Sequence, residues 1–251
     1  LALEGGTISL PSRARIGGVS QEAPSSEVSL LDTVLAADTE RAALLLEAET
    51  ASDGARIAEI QTRLADINAW SAEGRASSIL KGLGFDAAEQ RMPCSGFSGG
   101  WRMRVALAAV LFAEPDLLLL DEPTNYLDLE GTIWLESFLA RYPHTVVVIS
   151  HDRDLLNRAV GAILHLENKQ LTFYQGNYDT FAKTRASKRA VQAAAAKKQT
   201  AQREHLQKFV DRFKAKASKP GRRESSNDPP GALLLATVKR ATPATVSLRL
   251  C

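Results

Sequence analysis

Residues 117–122, Leu-Leu-Leu-Leu-Asp-Glu, constrain this chain more than any other stretch. Four consecutive leucines closed by charge are too few for a helix and too apolar for a loop. They read as a short strand buried on both faces. A second continuous apolar run, residues 145–149, has the same character, and a helical pattern over 131–140 lies between the two. Strand, helix, strand in this order points to a doubly wound α/β core with a parallel sheet. Ligands of such sheets bind beyond the carboxyl ends of the strands, where Asp121 and Glu122 fall.

The rest of the chain can be placed around that core. Residues 7–10 and 15–19 read as two short strands around Pro11-Ser12. Residues 27–83 read as helices, with Ile57, Ile60, Leu64 and Ile67 at the spacing of one helical face. Ser98-Gly99-Gly100 opens an alanine-rich apolar run to Phe112, a helix start by composition. Residues 163–166 and 171–174, joined around Asn168, read as a hairpin. From about Thr180 the chain is rich in Ala, Lys, Arg and Gln, all good helix formers. There Leu206, Phe209, Val210 and Phe213 repeat a helical stripe.

Composition excludes several classes. A chain of 251 residues with 45% hydrophobic and 24% charged residues is neither disordered throughout nor collagen-like. No apolar run approaches the roughly 18 residues of a membrane span. No signal-peptide pattern is visible, so the expected setting is cytoplasmic. Cys94 and Cys251 make neither a disulfide framework nor a metal site alone. Charge is the uneven quantity: residues 1–181 carry a net −11 and residues 182–223 a net +12. An acidic body with a basic arm points to nucleic acid or another anionic surface, against the plainer reading of a solvated helix face.

Several features converge on a nucleotide phosphate. Asp121 at a strand end can hold Mg²⁺ through water beside phosphates. Glu122 can polarise an attacking water as general base. Ser98, Gly99 and Gly100 at a helix start can offer bare backbone N–H groups to an anion. His151, just after the strand at 145–149, can donate a hydrogen bond to a terminal phosphate. Each signal is weak alone: Ser-Gly-Gly is a common turn, and a lone histidine is more often structural.

Their order and spacing carry more. Phe97-Ser98-Gly99-Gly100-Trp101-Arg102-Met103-Arg104 resembles the signature loop of ATP-binding cassette (ABC) proteins. Residues 117–122 followed by Pro123-Thr124 resemble the Walker B strand, Asn125-Tyr126-Leu127-Asp128 the D-loop, and Ser150-His151-Asp152 the switch-histidine loop. Gln21 stands where the Q-loop glutamine would, ahead of a helical insert. Trp101 where transporter signatures usually have Gln, Asn125-Tyr126 where their D-loops usually have Ser-Ala, and the basic helix after the hairpin make the chain similar to the soluble ABC-F class. The match covers about residues 1–219 and is nearest to a first cassette. The fold class implied is an α/β, incomplete P-loop NTPase cassette with a helical subdomain, followed by a basic helical linker.

That resemblance implies roles. Two cassettes close face to face on two ATP molecules, with the second cassette as partner. Glu122 is then the general base and His151 the γ-phosphate contact, both catalytic. Asp121 and Gln21 serve Mg²⁺. Ser98, Gly99 and Gly100 clamp ATP held by the opposite cassette, and Asp128 couples the sites. Family members act on the ribosome near its tRNA, so the basic arm (Lys197, Lys198, Arg203, Lys208, Arg212, Lys214, Lys216) is expected to touch RNA. Trp101 reads either as packing for the signature helix or as a nucleotide or ribosome contact, and Arg102 and Arg104 are equally open. The alternatives are a transporter's nucleotide-binding subunit and a nonfunctional remnant.

The resemblance also has gaps. None of the 16 glycines is followed by lysine, so no Walker A loop G-x-x-x-x-G-K-[S/T] is present. Leu1 is therefore read as a truncation point. After Lys219 the family pattern Lys-Ala-Arg-Gln-Ala gives way to Pro220-Gly221-Arg222-Arg223. One deleted base produces this change, so residues 220–251 are expected to be out of frame or disordered, with a divergent tail as the alternative. The expected divisions are a residual hairpin and Q-loop (1–25), a helical subdomain (26–93), an ATPase core (94–180), a linker (181–219) and the tail (220–251).

Overall fold

The leucine run forms strand β3 (Leu117–Asp121), and every other part of the core is arranged about it. The computed structural model describes residues 7–12, 14–19, 25–214, 233–237 and 247–249. Beside β3 lie β2 (Ile16–Gly18) and β4 (Thr145–Ile149), both parallel to it. The register pairs Gly18 with Leu119 and Asp121 with Ile149. A hairpin of β5 (Ala162–Glu167) and β6 (Gln170–Gln175) completes one end. Its turn places Asn168 and Lys169 at φ 52° and 61°, the two left-handed residues of a tight hairpin.

Helices fill the connections. α1 (Leu30–Leu35), α2 (Thr39–Thr50), α3 (Gly54–Asp66) and α4 (Ala72–Gly82) come first. α5 (Gly99–Ala113) leads into β3, α6 (Leu129–Arg141) joins β3 to β4, and α7 (Arg153–Arg158) follows β4. Side-chain oxygens of Ser29, Asp128 and Asp152 accept the free N–H groups at the starts of α1, α6 and α7. The main core gathers Leu118, Leu120, Val146 and Val148 of the sheet with Val105, Ala108 and Leu111 of α5, Leu135 and Leu139 of α6, and Leu155 and Leu156 of α7. A small second cluster holds Ile60 and Leu64 of α3 beneath α2. Ile57, on the same expected face, is 38% exposed.

Two expectations are corrected. The strands are not buried on both faces: Leu119 is 42% exposed while Leu118 and Leu120 are buried. The helices pack on one face, and alternate residues of β3 and β4 look the other way. The first two strands do not form a hairpin. β1 (Thr7–Ser9) pairs with β8 (Ser247–Arg249), whereas β2 joins the main sheet. Arg15 holds β2 there: its N–H donates to Asp116 Oδ2 at 2.8 Å, and its guanidinium donates to Ala113 O and Glu114 O at the end of α5. Within the tail, expected to be out of frame or disordered, the described residues form two strands, β8 and β7 (Leu233–Thr237). β7 runs antiparallel between β4 and β5, giving the order β2-β3-β4-β7-β5-β6. Its ladders satisfy backbone groups that β4 and β5 would otherwise leave unpaired. The rest of the tail lies outside the described residues.

The last helix, α8 (Tyr178–Lys214), has 37 residues and is about 55 Å long. Among the described residues no helix is long and apolar enough to cross a membrane.

Candidate functional site

The carboxyl ends of β3 and β4 bring two of the expected residues together. The Glu122 N–H donates to Ile149 O at 2.8 Å, which holds the residue beside the end of β4. Its φ of 45° then turns the chain sharply away from the strand. Ser150 is buried, and its Oγ accepts the Asp152 N–H at 3.0 Å. That turn pushes His151 outward, with its side chain 82% exposed. His151 Nε2 lies 3.3 Å from Glu122 Oε1, and the His151 N–H reaches Glu122 Oε2 at 3.4 Å. A carboxylate and an imidazole thus meet at the carboxyl end of the sheet, with His151 open to solvent.

Asp121 sits beside them, exposed at the last position of β3. Among the described residues there is no group of three or more His, Cys, Asp or Glu side chains fit to hold a metal. One carboxylate at a strand end does fit Mg²⁺, which usually takes one or two protein carboxylates and completes its shell with water and phosphate oxygens. Gln21, the other expected metal residue, lies outside the described residues.

Ser98, Gly99 and Gly100 occupy the start of α5 rather than the Glu122–His151 edge. Ser98 is the N-cap, yet its hydroxyl makes no capping bond. Space around Gly99 is open where a Cβ would stand, and the first-turn N–H groups of α5 have no capping bond from Ser98. An ideal Cβ on Gly100 would stand 3.9 Å from the Tyr126 ring, so the signature loop and the D-loop are neighbours.

Asp128 is engaged on both oxygens. Oδ1 accepts the Gly131 N–H at 2.8 Å, and Oδ2 accepts from Arg104 Nη1 at 3.0 Å. The backbone bond first, and the guanidinium second, hold its carboxyl below the usual range. Sequence reasoning left Arg104 open. The available signal was an arginine three positions after a tryptophan, at the point where the helix turns wholly apolar. The structure buries it, with Trp101 stacked on its guanidinium.

The basic helix is rooted on the hairpin. Arg185 and Arg189 both donate to Glu167 Oε1, at 2.9 and 3.0 Å, and Phe181 is buried against Tyr174 and His165. Sequence reasoning did not identify that root. Further along, Lys197, Lys198, Arg203 and Lys208 are exposed. Arg212 and Lys214 lie in the last turns with side chains outside the described set, and Lys216 lies outside the described residues.

Comparison with known proteins places these features in a wider set. Two family models, both described as ABC transporter, match residues 7–125 and 164–227. The chain is 47% identical over 225 residues to the probable ATP-binding protein YheS of Haemophilus influenzae, covering 88% of this chain and 35% of that protein. It is 42% identical over 243 residues to ABC transporter F family member 3 of Arabidopsis thaliana, covering 87% and 33% respectively. The chain therefore spans about a third of the length of these relatives. A solved structure of an ATP binding subunit of an ABC transporter overlays with a TM-score of 0.47 and 15% identity, over 68% of this chain and 62% of that one.

Proposed function

The chain belongs to the ABC-F family of ATP-binding cassette proteins, and on that premise we propose that it supplies one cassette's share of a two-cassette ATPase acting on the ribosome. The observation that carries the ATPase reading is the Glu122–His151 pair at the ends of adjacent parallel strands. In the closed site a water is held between Glu122 and the γ-phosphate. Glu122 accepts its proton as the water oxygen attacks phosphorus, and the bond to the ADP oxygen breaks. His151 exchanges its contact with Glu122 for the γ-phosphate, donating a hydrogen bond to charge that grows in the transition state. Asp121 would hold Mg²⁺ through water, with Gln21 as second metal residue, and the ion would neutralise phosphate charge. Ser98, Gly99 and Gly100 would grip the γ-phosphate of ATP bound to the second cassette, and Asp128 would link the two sites.

The 251 residues contain no G-x-x-x-x-G-K-[S/T], so the chain alone is expected to bind ATP weakly and not to turn it over. The basic helix, exposed at Lys197, Lys198, Arg203 and Lys208, supports contact with ribosomal RNA or tRNA.

The test is ATP hydrolysis by the protein expressed from its own gene with the flanking coding sequence. Glu122→Gln should lower turnover about 100-fold or more while leaving ATP bound. Turnover unchanged in that variant would overturn the reading, whereas turnover by the 251-residue chain alone that Glu122→Gln abolishes would overturn its expected inactivity alone.

A further inference from the structure

Arg104 is 9% exposed, and one guanidinium joins its own helix to two other segments. Nε donates to Tyr126 O at 2.6 Å, in the turn after β3. Nη1 donates to Leu83 O at 3.1 Å, at the end of α4, and to Asp128 Oδ2 at 3.0 Å, at the start of α6. The Trp101 ring lies beneath it, 4.2 Å from Cζ to centroid. Trp101 is itself fixed by an edge contact with Phe85 at 5.1 Å, and Phe85 touches Phe97, the residue before Ser98. Gly84, at φ 99°, makes room: a Cβ there would stand 2.9 Å from Arg104 Nη1. So the start of α5 and the turn bearing Asp128 are bound through one stacked pair.

We propose that Trp101 and Arg104 form a latch that sets the position of the Asp128 turn, so that an anion gripped at Ser98–Gly100 is felt at Asp128. Both are positioning residues, and the coupling part rests on the ATPase reading above. The stack fixes the plane of the guanidinium, and a planar fork can then reach acceptors in several directions at once. A lysine carries the charge but lacks the fork and the stacking face, and a leucine at 101 keeps apolar bulk but offers no π face.

Hydrogen exchange on the 251-residue chain tests the latch without any nucleotide. Arg104→Lys and Trp101→Leu should each raise exchange at the Leu127, Gly131 and Thr132 amides about tenfold or more. Amides of β4 should keep their protection, and Trp101→Phe should restore it at the turn. The double variant should do no more than either single change. Unchanged exchange at the turn, or a rise spread evenly over the core, would overturn the latch. Should Arg104→Lys fail to fold, Asp128→Asn carries the test, because Asn can still cap α6 while losing the ion pair. In the protein with its flanking coding sequence, Trp101→Leu should lower kcat with the KM for ATP changed less than about twofold. An exchange effect with kcat unchanged overturns the coupling. If Glu122→Gln also leaves hydrolysis intact, the ATPase reading itself has failed while the latch stands.

Discussion

Glu136 is 3% exposed, yet its carboxylate survives burial because Arg158 Nη1 reaches Oε2 at 2.8 Å. Arg158 is largely solvated, so the pair adds little net Coulomb energy, but removing the arginine takes the ion-pair partner from a buried carboxylate. Arg158→Ala should cost about 2 kcal/mol in urea unfolding, and Arg158→Lys clearly less. A loss below about 0.5 kcal/mol would mean that water reaches Glu136. His165 is the second residue of this kind. Burial first, and the Arg185 charge next, press its pKa below the ordinary imidazole range. The native state therefore refuses a proton that the unfolded chain accepts below about pH 6.5. Its contribution is complete above that pH and is lost as the pH falls through 6.5 toward the depressed native value. Stability should drop as the pH falls below about 6.5, and His165→Phe, which suits the Tyr174 and Phe181 rings, should flatten the drop. An unchanged slope in that variant would place the acid sensitivity elsewhere.

The sheet shows which parts of the fold can be read from residue type. The hairpin, the helix between β3 and β4, and the helix opened by Ser98 were all legible, because periodicity and turn chemistry are local. The covered face was not. Leu119 and Val147 are as apolar as Leu118 and Val146, so composition cannot say which set the helices choose. Strand partners were equally hidden. The placement of β1 against β8 and of β7 between β4 and β5 depends on residues more than 65 positions apart, and no local pattern encodes that. At the candidate site, motif order singled out Glu122 and His151, which the structure places 3.3 Å apart, whereas the Arg104 anchor needed the folded positions of Leu83, Tyr126 and Asp128. The open face gives a direct contrast. Leu118→Ala should cost about 2–5 kcal/mol, as buried leucines do. Leu119→Thr should change stability by no more than about 0.5 kcal/mol and should reduce binding of an apolar dye. Equal costs at the two positions would show that something covers Leu119 in solution.

Across the whole molecule, charge and shape are divided in the same place. Residues 1–181, which include the packed body, carry a net −11, and the net +12 of residues 182–223 falls mostly on α8. Glu167 stands at the junction and holds Arg185 and Arg189, so those two cations steady the helix, while Lys197, Lys198, Arg203 and Lys208 remain exposed further out. An acidic body repels a phosphate backbone, so RNA should meet the helix and stay off the sheet. Counterion release makes this measurable. If the helix neutralises six or more phosphates, affinity for ribosomes or ribosomal RNA should fall roughly 10³-fold between 50 and 200 mM salt. Replacing those four outer cations with Gln should reduce the slope of log K against log salt by about 3, roughly 0.7–0.9 for each phosphate that is no longer neutralised. The same four changes should leave the unfolding midpoint of the body unaltered, since their side chains pack against nothing in it. Binding indifferent to salt, or a slope untouched by the four substitutions, would remove RNA from the role of the helix and leave its charge as a means of keeping a long, unsupported helix in water.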